Sequence, residues 1–300
     1  PPFSREILTQ GQIKSRTHGD YVLINTNLGA INPRIEDTYA FFHMCRQIGV
    51  IDPGPDQGWV EFSGRCDWEW GNLDLLTRVI GAYLLRSDYP PLVIRPHPAE
   101  NISKWQEAYR GVDRVSVILE GGHAPWTTGA KLMIHSGCTT GLEAALLERP
   151  VLCLEGGISE WHHVHTSNVV NRTATSVNGA MAAIDHVLSG TGLAQTTDGE
   201  KRRELERNVL PWPEDFAANR IIAALRGLAE RAQTPAISWR DVFDFKADEF
   251  RPSAHKIDPA SFTPEAVSDI AAGFAADLGH DLAPVVRSNA SGMILMSPGG

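Results

Sequence analysis

Short apolar runs that alternate with segments of helical period constrain this chain more than any other feature of it. Residues 21–24, 92–94, 115–119, 131–135 and 151–154 are apolar, rich in β-branched side chains and too short for buried helices. Between them, helical spacing is expected at 35–48, 103–109 and 139–147, and at Leu73, Leu76, Val79, Ile80 and Leu84. Strands alternating with helices predict βαβ units. The fold class expected is therefore α/β, a Rossmann-like parallel sheet flanked by helices. Helical periodicity returns at 177–188, 200–210 and 215–229, whereas 56–70, rich in Trp, Gly and acids, has no clear period and reads as a loop. From Gln233 proline becomes frequent, and the only regular stretch is an amphipathic one with Val267, Ile270, Phe274 and Leu278 on one face. These shifts divide the chain into 20–232, a Rossmann-like domain, and 233–300, a linker and partial helical segment. Residues 1–19 read as a linker or the remnant of a preceding half.

Charge narrows the partners. Lys and Arg number 27 against 36 Asp and Glu, a net charge of −9 over 300 residues. Such a chain has no broad attraction for nucleic acid or anionic lipid, so any phosphate must be held by a local site. No apolar run approaches the ~20 residues that span a bilayer. Cys45, Cys66, Cys138 and Cys153 are far apart, which speaks against a zinc ribbon or a disulfide framework and for a reducing compartment. The chain starts at Pro1 and stops at Gly300, and reads as a fragment of a soluble cytosolic protein.

The most informative stretch is HSGCTTGLEAALLERPV, residues 135–151. A strand ends, small residues turn the chain, and Thr139 and Thr140 stand where a helix begins. First-turn N–H groups, helix dipole and the hydroxyls of Thr139 and Thr140 together suit an anion. Gly137 and Gly141 would let a phosphate approach the backbone, and Glu143, one turn on, could accept from ribose hydroxyls. Equally, Ser136 or Thr139 can be a plain helix cap. Open α/β sheets bind ligands at the carboxyl ends of their strands, and two further segments sit there. One is Arg95-Pro96-His97-Pro98-Ala99-Glu100, where Arg95 could grip a phosphate or carboxylate and His97 could donate a proton from a backbone fixed by prolines; an ordinary turn is the alternative. The other is Asn25-Thr26-Asn27-Leu28-Gly29, whose amides suit substrate hydroxyls and turns alike.

Other candidates read more plainly. His162, His163 and His165 lack a carboxylate or cysteine at structural-zinc spacing, so no metal is expected. Cys138, at a helix start but without a His/Asn arrangement, reads as a buried filler. Glu61, Asp67, Glu69 and Asp74 read as a solvated acidic stretch, with Asp67 the carboxylate placed to enter a cleft.

Taken together, YVLINTNLGAINP (21–33), RPHPAE (95–100) with Trp105 behind it, and IHSGCTTGLEAALLERPV (134–151) resemble the surface carbohydrate biosynthesis proteins. Their better-understood relatives are GT-B-like retaining β-Kdo transferases that use CMP-Kdo. The last element also resembles the donor-binding half of CDP-glycerol glycerophosphotransferases and of non-hydrolysing UDP-N-acetylglucosamine 2-epimerases. The resemblance covers roughly 1–230. It implies a bacterial enzyme, of which this chain would be the C-terminal, nucleotide-sugar-binding half of a GT-B-like architecture, inactive alone. Ser136, Gly137, Thr139, Thr140 and Gly141 would hold the donor phosphate, with Glu143 near the nucleotide. Arg95 and His97 would face the donor, and Asn25 and Asn27 would line the same site. In a retaining mechanism a carboxylate attacks the anomeric carbon, and His97 and Asp67 are the catalytic candidates. The implied partners are a nucleotide sugar, CMP-Kdo foremost, and a glycan or lipid-linked acceptor; the implied place is cytoplasmic, at most peripheral to the inner membrane. No cofactor is implied. The rival functions are an epimerase and a non-catalytic nucleotide-sugar-binding module.

Overall fold

The computed structural model describes residues 5–51, 55–157, 165–190 and 199–208, with 221, 223–225, 265, 268–269, 272, 285–288 and 294–297 beyond them. Contacts divide the chain into two units, Pro2–Pro211 and Trp212–Gly300 with Pro1. In the second, β7 (Val285–Ser288) and β8 (Ile294–Ser297) pair antiparallel. The amphipathic stretch expected around 267–278 lies largely outside the described residues.

The first unit is built on six parallel strands: β1 (Val22–Asn25), β2 (Leu92–Arg95), β3 (Val115–Val117), β4 (Leu132–His135), β5 (Val151–Leu154) and β6 (Arg172–Ala174), in the spatial order β3-β2-β1-β4-β5-β6. The Rossmann-like α/β class read from the alternation is the observed one. Side chains alternate across a strand, so Val22 and Ile24 face one layer and Tyr21 and Leu23 the other. The first layer is covered by α3 (Pro55–Leu84), through Leu75, Leu76, Val79, Ile80 and Tyr83, and by α8 (Val177–Leu188), through Ala180, Ala183 and Ile184. Over the second lie α5 (His123–Gly129), with Trp126 fully buried, and α6 (Thr140–Leu146), with Ala144. Both faces are covered, so the strands read as continuous apolar runs.

The sequence expectation lacks β6, α5 and the helix His165–Val170, and two other stretches differ as well. Residues 56–70 are not a loop: α3 runs unbroken for 30 residues from Pro55. Its first half packs Phe62 on Phe41 and Phe42 of α2 (Thr38–Gln47), and exposed Trp59 and Trp70 blur the period that would have revealed it. The N-terminal stretch also holds a helix, α1 (Arg5–His18), in contact with α5; a Cβ added to Gly11 would overlap the Thr128 side chain.

Candidate functional site

After β3 the chain returns to the middle of the sheet, placing β4 beside β1. The connections from neighbouring strands diverge there, opening a crevice at the carboxyl edge. Asn25 closes β1 in register with Arg95 on one side and His135 on the other. The loop after β1 and the turn after β4 are tied directly, since the Asn27 side-chain amide donates to the Gly137 carbonyl at 2.9 Å. Gly137 has φ 68°, a conformation that excludes most side chains.

The turn differs in detail from a cradle of amides. The N–H of Cys138 donates to His135 Nδ1 at 3.2 Å. Those of Gly141, Leu142 and Glu143 close on the carbonyls of Cys138 and Thr139. Buried hydroxyls are left over instead: Ser136 Oγ and Thr140 Oγ1 have no protein partner, and neither does Asn25 Oδ1. Thr139 is the exposed N-cap of α6 and makes no side-chain cap bond. Gly141 has a packing reason of its own, because a Cβ there would overlap the His135 imidazole and Ser167 Oγ. From behind, Ser167 of α7 (His165–Val170) donates to the Cys138 carbonyl at 2.7 Å, and Asn171 donates to that of Gly141 at 3.0 Å. Burial holds the His135 imidazole neutral, its pKa pushed down to about 4.

Glu100 organises the other two segments. It is 1% exposed, and its Oε1 accepts from Thr26 Oγ1 at 2.6 Å, Leu28 N–H at 3.1 Å and His97 N–H at 3.0 Å. Its Oε2 accepts from Trp105 Nε1 of α4 (Ile102–Ala108) at 2.9 Å. A backbone bridge between Pro33 and Glu100 ties the same two loops. His97 is thereby held at the edge, exposed, with Nδ1 accepting from the Ala99 N–H at 3.1 Å. In the neutral ring the proton then sits on Nε2.

Several expected roles change. Arg95 is 6% exposed, and its terminal nitrogens donate to the carbonyls of Glu120 and Gly121, each at 2.8 Å. It orders the loop after β3, and burial lowers its pKa to about 10. Glu143 receives His123 Nε2 at 2.7 Å. The acidic stretch is not uniformly solvated: Asp67 is exposed on α3, but Glu69 is fully buried and accepts from Ala30 N–H at 2.8 Å, Ile31 N–H at 3.1 Å and Arg65 Nε at 3.0 Å. Burial raises its pKa against the pull of Arg65. Cys138 is buried, as a filler would be.

Sequence reading missed Glu69, Ser167, Asn171 and His123. The signal for Glu69 was its i, i+4 spacing from Arg65 on a helix not recognised as one. The His162–His165 cluster falls outside the described side chains; among the described residues no group of three or more His, Cys, Asp or Glu could hold a metal. No described helix is long and apolar enough to cross a membrane. A concavity of about 370 Å³ lies at the opposite edge, lined by Ser15, Asp20, Thr128, Lys131 and Arg149. The carboxyl edge is the candidate site on other grounds: buried hydroxyls without protein partners lie in the turn after β4.

No protein-family model and no curated protein matches the chain. Among solved structures it is similar to the UDP-GlcNAc 2-epimerase of Methanocaldococcus jannaschii in complex with UDP-GlcNAc and UDP, at 11% identity over 69% of this chain and 48% of that one, TM-score 0.37. It is also similar to a protein assigned as a UDP-N-acetylglucosamine 2-epimerase from Listeria monocytogenes, at 15% identity over 78% of this chain and 50% of that one, TM-score 0.36. The chain thus spans about half the length of either structure. Likenesses this distant assign no ligand.

Proposed function

We infer that the crevice between the ends of β1 and β4 binds a nucleotide-activated sugar by its phosphate. In this reading the chain is the nucleotide-sugar-binding half of a GT-B-like glycosyltransferase of surface polysaccharide biosynthesis. CMP-Kdo is the favoured donor, and the acceptor is a glycan or lipid-linked glycan. The observation that carries the reading is the pair of buried hydroxyls, Ser136 Oγ and Thr140 Oγ1, without protein partners at the sheet's switch point. Phosphate oxygens accept from both hydroxyls, and these bonds strengthen as charge builds on the leaving phosphate. Asn25 Oδ1 accepts from a ligand hydroxyl. His97 presents Nε2–H to the departing oxygen or the sugar. Asp67 is the candidate nucleophile, now as an exposed carboxylate of α3. Arg95 and Glu100 act as positioning residues, through the loops they hold. The four free cysteines suit the cytoplasmic placement that belongs to the same proposal.

Calorimetric titration of the protein with CMP-Kdo and UDP-N-acetylglucosamine tests the binding. Incubation of the intact protein with UDP-N-acetylglucosamine and no acceptor tests the reaction. Saturable binding that S136A with T140V abolishes is expected. Epimer formation would replace transfer by isomerisation, and unchanged turnover in D67N would remove Asp67 from the scheme.

A further inference from the structure

The concavity at the amino edge of the sheet, about 370 Å³, is of a size that small ligands occupy. Segments entering three strands meet one helix there: Asp20 precedes β1, Lys131 precedes β4, Arg149 precedes β5, and Gln12 and Ser15 come from α1. The helix reaches this edge by a close approach to the end of α5, where a Cβ on Gly129 would lie 2.6 Å from the Gly11 carbonyl oxygen and 3.3 Å from Ser15 N. Arg149 is placed by the end of α6. Its N–H donates to the Ala144 carbonyl and that of Glu148 to the Ala145 carbonyl, each at 3.0 Å, and Glu148 has φ 56°. These are the bonds of a Schellman motif, built here on a glutamate where glycine is usual. The next position, which commonly packs an apolar side chain back on the helix, carries the arginine instead. Its Nε is buried and has no protein partner. Lys131 shares its charge with Asp20 at 3.2 Å, in a pair more than half exposed on both sides, and such pairs are weak. Two cations thus line one cavity of a chain whose net charge is −9.

We propose that this cavity binds a small hydroxylated organic anion, a sugar phosphate or a sugar acid, whose anionic group is held by Arg149 and Lys131. A guanidinium offers a planar fork that matches phosphate and carboxylate alike, and the ammonium adds a point charge. The rest of the lining suits hydroxyls. Asp20 accepts; Thr128 Oγ1 gives its proton to the Ala124 carbonyl at 2.7 Å and is left to accept; Ser15 and Gln12 can do either. A bare polyanion would be repelled by Asp20, and an uncharged sugar would leave the buried Arg149 Nε without an acceptor. The site lies at the other ends of the same strands from the crevice after β1 and β4, so it does not depend on the nucleotide-sugar reading.

Calorimetric titration of the full chain with glucose 6-phosphate, gluconate and glucose, each to about 10 mM at low ionic strength, tests the proposal. Saturable binding of at least one of the two anions is expected, weakened by added salt, with none of glucose. The tighter anion assigns the group held as phosphate or carboxylate. R149Q should weaken binding about tenfold or more. D20N keeps an acceptor oxygen and frees Lys131, so it should tighten binding. Because R149Q alters the end of α6, K131Q on the exposed rim supplies an independent readout: weaker binding at an unchanged melting temperature. S136A with T140V should bind the anion as the parent does. Absence of binding by both anions, glucose binding as well as they do, weaker binding in D20N, or affinity that survives in both R149Q and K131Q overturns the proposal. Binding lost in S136A with T140V but kept in R149Q puts the anion in the other crevice, which overturns this site and leaves the nucleotide-sugar reading standing.

Discussion

The hydroxyl of Thr26 donates to Glu100 across 74 positions of sequence, at 2.6 Å in the buried interior. The same Oε1 takes the N–H of Leu28 and of His97, and Oε2 takes the indole of Trp105. One carboxylate thus fixes the loop after β1 against the loop after β2, and with it the position of His97. An acceptor-only group suits this place because every partner is a donor.

E100A is expected to strand these donors and destabilise the protein by about 3 kcal/mol or more. E100Q retains one acceptor oxygen but sets an NH2 group against the Trp105 N–H, so its loss should be smaller. W105F should then rescue part of it, which a double-mutant cycle in urea measures as a coupling of about 1 kcal/mol. Strict additivity of E100Q and W105F would show that Oε2 does not carry the indole bond.

Five of the six strands of the sheet were legible from the sequence, because a strand buried on both faces has few alternatives to an apolar run; β6, a largely exposed edge strand, was not. The helix boundaries of α8 coincide with the expected 177–188 for a related reason: Ser176 caps it through the Gly179 N–H, and the period is uninterrupted. What could not be read was which donors and acceptors meet. Arg95 next to a strand end looks like a ligand grip until the 120–121 turn, 25 positions away, supplies two carbonyls. Glu69 looks like part of a solvated acidic run until α3 rotates it inward onto Ala30 and Ile31. Such pairings depend on loop paths that a local pattern does not encode.

The hydroxyls of Ser136 and Thr140 separate ligand binding from stability. Neither caps α6, and neither has a protein acceptor, so S136A and T140V should leave the melting temperature unchanged or slightly raised. Each lost charge-assisted bond should weaken nucleotide-sugar binding by ~1.5–3 kcal/mol, about tenfold or more. Lower stability with unaltered affinity would return the turn to a purely structural role.

Asn27 holds the switch point closed from the other side. N27D puts a carboxylate oxygen against the Gly137 carbonyl in place of the 2.9 Å amide bond. A loss of about 1–3 kcal/mol is expected from urea unfolding. N27D should also weaken the nucleotide sugar, since the turn carrying Ser136 is no longer tied. If affinity stays at the parent level while stability falls, the bond braces the fold without shaping the crevice.

His135 makes stability depend on pH in a predictable direction. Its folded pKa is about 4 because the ring is fully buried, whereas an unfolded imidazole titrates near 6.5. Between those values the unfolded chain binds a proton that the folded chain refuses. Stability from this group is therefore complete above about pH 6.5 and is lost as pH falls toward 4, by roughly 3 kcal/mol over the whole window. Carboxylates titrate in part of the same range, so the informative quantity is a difference between two proteins. H135N keeps an oxygen able to accept the Cys138 N–H but has no proton to take up. It should be less stable at pH 7, having lost the ring packed against Gly141, and should show a slope of unfolding free energy against pH that is smaller by up to one proton. Parallel profiles for the parent and H135N between pH 6.5 and 4 would mean that the ring is protonated, and solvated, in the folded protein.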